Sequence, residues 1–149
     1  MIFIPGNTPS LKNSRVNGKF RPKTMTKYLR SLNIQDYSVS QRTVKGYVSK
    51  DKPNLFRQYI GSYFDDIKYP AILGFHFVRD SRRSCDFQNL VHAPLDLLTA
   101  HQYIEDDSMK YIFPVPFKIN GRLYTIDKEN PGTWIKLLTE YEIYDTMVV

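Results

Sequence analysis

A chain of 149 residues is long enough for one domain with a real hydrophobic core and too short to divide comfortably into two. Its 42% hydrophobic and 24% charged content is that of a globular protein, and no run approaches the roughly eighteen apolar residues that a membrane span needs. The net charge of +6 is uneven: residues 1–50 hold ten Lys or Arg against one acid, Asp36, while residues 51–149 hold eleven against fourteen acids.

In chain order, MIFIP is strand-like and ends at Pro5-Gly6. Residues 6–23, rich in Gly, Pro, Asn, Ser and basic side chains, read as loop, with a short helix over 24–31 and a weakly strand-like polar stretch over 37–49. Residues 53–67 place Phe56, Tyr59, Ile60, Tyr63, Phe64 and Ile67 at helical spacing. AILGFHFVR, residues 71–79, is the clearest strand, and the polar turn DSRRS follows it.

A second main helix fits residues 89–100, with Leu90, Leu95, Leu97 and Leu98 for the core and Pro94 tolerable near its first turn. Strands are expected over 109–118 and 122–126 around Asn120-Gly121, a hairpin signal, and TWIKLL closes the sheet. The expectation is a single α+β domain over residues 1–149, a small mixed sheet packed against two main helices, with a long basic loop over about residues 6–50.

Lys12, Arg15, Lys19, Arg21, Lys23, Lys27 and Arg30 lie in the first thirty residues without one acid, and Phe20 and Tyr28 are interleaved with them. That is the electrostatic footprint of a phosphate-binding arm, with Tyr28 and Tyr47 available to stack on unpaired bases. It is equally the pattern of a solvated basic surface. An anionic membrane fits less well, because the arm shows no amphipathic helix with a bulky apolar face. The opening MIFIPGNTPSLKNSR lacks the apolar core of a signal peptide, and the single Cys85 forms no internal disulfide. A cytoplasmic protein is the expectation.

Chemistry concentrates in CDFQNLVHAPLDLLTAHQYIEDD, residues 85–107, where Asp86 opens and Glu105–Asp107 close a helical run. A helix over 89–100 carries the chain about 18 Å from Asp86 at about 1.5 Å per residue. Seven extended residues return about 23 Å. Asp106 or Asp107 can therefore lie beside Asp86. Clustered carboxylates suit Mg²⁺ or Mn²⁺, and Arg79, Arg82 and Arg83 suit phosphate positioning next to such an ion. The same residues also read as a helix cap and a solvated turn.

The run SRRSCDFQNLVHAPLDLLTAHQYIEDD resembles the core of the RusA family of Holliday junction resolvases, common in phages and prophages. The matching parts are Asp86, Asn89, HAPLDLL and the pair Asp106-Asp107, preceded by basic residues, and IPGNTPSLKNSR is similar to that family's opening. The resemblance implies a RusA-like fold and a homodimeric, Mg²⁺-dependent endodeoxyribonuclease that cuts branched DNA, typically four-way junctions, by paired incisions. It implies Asp86 and Asp107 as metal ligands, assisted by Asp106 and Gln88, with Lys12, Arg15, Lys19, Arg21, Lys23, Arg79, Arg82 and Arg83 on DNA.

Two positions depart from the family's pattern. Gln88 stands where the second acid of D-x-D-N belongs, and His92 where a lysine is usual. A neutral carbonyl oxygen still ligates a hard cation but holds it less tightly. His92 still donates to phosphate, though it is only partly charged near neutral pH. The alternative is a branched-DNA-binding protein that has lost cleavage. His76 reads as structural, His101 as a helix C-terminal cap favoured when protonated, and Cys85 as a buried thiol. No glycine-rich nucleotide-binding loop or cysteine zinc knuckle appears.

Overall fold

The computed structural model describes residues 1–10, 23–34, 53–83 and 85–147. It is a mixed α+β domain with the element order β1 (Ile2–Pro5), α1 (Lys23–Ser31), α2 (Leu55–Ile60), β2 (Ala71–Arg79), α3 (Phe87–Ala100), β3 (Ile112–Pro116), β4 (Thr125–Ile126), β5 (Gly132–Leu137) and α4 (Glu140–Met147). The five strands make one sheet in the order β1-β5-β2-β3, with β4 also pairing to β2. No helix among the described residues is long and apolar enough to cross a membrane.

β2 is the hub of this sheet. It runs antiparallel to β5 (Phe75 opposite Ile135) and parallel to β3 (Ala71 opposite Ile112) and β4 (Val78 opposite Thr125). Its near-continuous apolar run is what a strand covered on both faces requires. Leu73, Phe75 and Phe77 point one way, and the Phe87 ring of α3 packs edge-on against the last two at 6.4 and 5.9 Å. On the other face, a Cβ at Gly74 would lie 2.6 Å from Phe117 and 2.8 Å from Leu138, so only glycine lets those side chains close over the strand.

α3 begins two residues earlier than expected, because Asp86 takes the N-cap position with an extended backbone (φ −75°, ψ 139°). The helix continues through Pro94. The proline removes one backbone donor, and the cost is met by the burial of Leu90, Val91, Leu95, Leu97 and Leu98 against the sheet. α2 is much shorter than the 53–67 expectation. Asn54 starts it by accepting from the Arg57 N–H at 3.1 Å, and Gly61 at φ +55° ends it.

The Asn120-Gly121 turn forms as expected. Both residues have positive φ (51° and 75°), and Ile119 and Arg122 exchange hydrogen bonds of 2.9 and 3.1 Å. The flanking strands do not pair with each other beyond that bridge. β3 and β4 each join β2 instead. The reason lies in β3. Phe117 donates inward to the Phe75 carbonyl, so the alternate positions 114 and 116 face the outer edge, and both are proline. An edge without those donors cannot accept the returning strand.

Candidate metal and phosphate site

The C-terminal end of β2 gathers four pieces of chain. The Arg79 carbonyl accepts from the Asp127 N–H at 2.8 Å, just past β4. The Arg79 guanidinium donates through Nη1 to the Thr8 carbonyl at 2.6 Å, past β1, and through Nη2 to the Cys85 sulfur at 3.7 Å. The Thr8 hydroxyl shares a 2.6 Å hydrogen bond with the Thr133 hydroxyl in β5, both residues being buried.

Beyond β2 the chain turns through Asp80–Arg83, and Arg82 and Arg83 are exposed. Asp86 follows, also exposed. Its carboxylate makes no capping hydrogen bond, and it has no other partner among the described residues. Gln88 and His92 are exposed one helical turn apart, so they stand one above the other on the solvent face of α3. Asn89 is half-buried, and its N–H donates to the Asp86 carbonyl at 3.1 Å. Chemically this is a carboxylate without an ion-pair partner among the described residues and a carboxamide oxygen at a helix head, with two exposed guanidinium groups close by in the chain.

Asp106 and Asp107, both half-buried, lie on the segment that leaves α3 at its other end. The Glu105 N–H donates to the Tyr69 hydroxyl at 3.0 Å, and Asp106 Oδ1 accepts from the Asp107 N–H at 2.9 Å. The Ser108 carbonyl accepts from Tyr111 and Ile112, and Ile112 lies opposite Ala71. These anchors belong to the start of β2, whereas those of Cys85–Phe87 belong to Phe75, Phe77 and Arg79. Along a strand, Ala71 and Phe77 are about 20 Å apart. Among the described residues, no three His, Cys, Asp or Glu side chains form a group that could hold a metal ion.

Of the basic arm, Lys12, Arg15, Lys19 and Arg21 lie outside the described residues, as does Tyr47. Lys23 is exposed on α1, and so are Lys27 and Arg30. The spacing 23, 27, 30 puts the three on one face of α1, which forms where the short helix over 24–31 is expected. Tyr28 is corrected: it is 3% exposed and packs into the core with Met25 and Leu29, so it is not available to stack on a base. Burial pushes its phenol pKa well above the ordinary value.

His76 is structural. It is fully buried, with Nδ1 3.0 Å from the Phe117 carbonyl and Nε2 2.7 Å from the Thr125 hydroxyl, and burial lowers its pKa. His101 does end α3, but as a neutral side chain. Its Nδ1–H donates to the Leu97 carbonyl at 2.8 Å, which leaves Nε2 to accept from Asn54 Nδ2 at 2.9 Å. Burial is the main cause that brings its pKa down to about 4, against the pull of the Leu97 carbonyl and with help from Arg57. The expectation of a protonated cap is overturned by desolvation. Comparison with protein-family models, curated proteins and solved structures gives no match to this chain.

Proposed function

We propose that this chain is a RusA-like, metal-dependent endodeoxyribonuclease acting on branched DNA such as four-way junctions, as a homodimer. The observation that carries the reading is Asp86, an exposed acid at the head of α3 with no partner among the described residues, followed on α3 by exposed Gln88 and His92 and preceded by exposed Arg82 and Arg83. A carboxylate with a capping duty would be hydrogen-bonded to the helix; this one is left available.

Asp86 and the Gln88 carbonyl oxygen fit a hard cation that keeps most of its waters. Asp86 and Gln88 would hold such an ion, Mg²⁺ or Mn²⁺, which would supply positive charge at the scissile phosphate and help to activate the attacking water. Arg82 and Arg83 grip the phosphates on either side, and His92 donates a hydrogen bond to one of them. The basic arm, including Lys12, Arg15, Lys19, Arg21 and Lys23, follows the DNA backbone. Asp106 and Asp107 are the further acids that the resemblance assigns to the ion. Two subunits related by a twofold axis suit a junction of the same symmetry.

A second reading is a branched-DNA-binding protein without cleavage. It is favoured by neutral Gln88, which stands where the resemblance expects an acid. A labelled four-way junction and a plain duplex, each incubated with the protein in Mg²⁺ and then Mn²⁺, decide between them. Junction-selective nicking that Asp86→Asn abolishes and Gln88→Asp strengthens supports the nuclease. Tight junction binding without cleavage in either metal supports the binder, and no preference for branched DNA removes both.

A further inference from the structure

Arg79 touches both halves of this site. Nη1 donates to the Thr8 carbonyl, where β1 gives way to the basic arm, and Nη2 to the Cys85 sulfur, one residue before Asp86. Its Nε is shut away from solvent without a partner among the described residues, and no carboxylate there neutralises the group. A guanidinium used in this way faces inward. Its planar fork carries donors on two separate nitrogens in fixed directions, a geometry that the single ammonium of a lysine does not reproduce.

We infer that Arg79 is a positioning residue, a strut that fixes Asp86 relative to the root of the basic arm, and not one of the phosphate contacts. Thr133 extends the strut by holding the Thr8 hydroxyl from β5. The consequence for turnover rests on the nuclease reading: with Asp86 on the cation and the arm on the DNA, Arg79 sets the distance between the cation and the bound strand. The strut itself does not depend on that reading.

Arg79→Gln and Arg79→Lys are compared with the wild type by backbone hydrogen exchange in the free protein and by the salt dependence of junction binding. The strut requires exchange to rise together over residues 5–10 and 85–90, on the order of tenfold, in both variants, because both lose the two-pronged contact. The slope of log affinity against log salt stays as in the wild type. A phosphate contact gives the reverse: unchanged exchange, a slope shallower by about 0.9, and Arg79→Lys close to wild type. That result overturns the inference.

Thr133→Val provides a variant that keeps the shape of a buried side chain and cannot reach DNA. It is expected to raise exchange over 5–10 and, through Arg79, over 85–90, and a rise confined to 5–10 overturns the coupling. In cleavage, both Arg79 variants lower kcat with little change in KM. A wild type that cuts nothing defeats the nuclease reading alone, and the exchange data still decide the strut.

Discussion

Asp86 and His101 bound the same helix and use it in opposite ways. Asp86 occupies the N-cap without a capping bond, so its carboxylate contributes little to the helix beyond a favourable position at the positive end of the dipole. Asp86→Asn is therefore expected to cost less than about 1 kcal/mol in urea unfolding, whereas the loss of a working side-chain cap costs up to about 2 kcal/mol. A larger loss would show the acid to be structural. An unchanged stability joined to a lost divalent-cation response, read by isothermal titration calorimetry with Mn²⁺, marks it as functional.

His101 is bound into the fold at both ring nitrogens. Protonating Nε2 removes the acceptor that Asn54 uses, and Asn54 also caps α2. The folded pKa of about 4 lies below the ordinary value of 6.5, so between those two values the unfolded chain takes up a proton that the folded chain refuses. Stability is full above pH 6.5 and falls as pH drops towards 4, by a total on the order of 3 kcal/mol. His76, with its pKa also lowered by burial, acts in the same sense. Urea unfolding between pH 7 and pH 4.5 is expected to show this slope, and His101→Gln to flatten it. An equal slope in the variant would assign the effect to other groups.

At the scale of elements, the strands are held by close approaches that composition does not advertise. Gly132 opens β5 opposite Pro5, and a Cβ there would lie 2.8 Å from the Ile4 carbonyl oxygen and 2.1 Å from the Phe3 ring. The ring can swing aside, but the backbone oxygen cannot without shifting the β1–β5 pairing. Gly132→Ala is expected to destabilise by about 1–3 kcal/mol in thermal or urea unfolding. Gly61→Ala, where nothing lies within 4 Å, meets only the strain of its positive φ.

Elements also show where local patterns stop being informative. The boundaries of β2 match the sequence expectation because its apolar run and its polar turn coincide. The helix expected over 53–67 ends at Ile60, since the aromatic spacing that suggests helix continues past Gly61 and there serves separate contacts, such as the Tyr63 hydroxyl on the Leu137 N–H at 2.9 Å. Periodicity records which side chains are buried, not which backbone buries them.

At the scale of the molecule, the distribution of charge bears on the proposed encounter with DNA. Lys23, Lys27 and Arg30 line the exposed face of α1, while Met25, Tyr28 and Leu29 anchor its other face in the core. A fixed row of three cations releases counterions from a polyanion as a unit. Replacing all three by Gln is expected to weaken junction and duplex binding alike and to reduce the salt slope by as much as about 2.7. An unchanged slope would show that the row faces away from the DNA.

The sequence by itself determined the short-range features. These are the extent of β2, the head of α3 to within two residues, the Asn120-Gly121 turn, the structural role of His76, and one α+β domain with a mixed sheet. Each depends on neighbours a few residues apart, through backbone geometry and the alternation of faces. Only the tertiary structure decided that β3 and β4 both pair with β2, that Tyr28 is core, that Arg79 turns inward to Thr8 and Cys85, and that the segment carrying Asp106 and Asp107 is tied to Tyr69. Chain-length arithmetic bounds how far that segment can reach. Its direction is set by packing partners distant in sequence, here Tyr69 and β2.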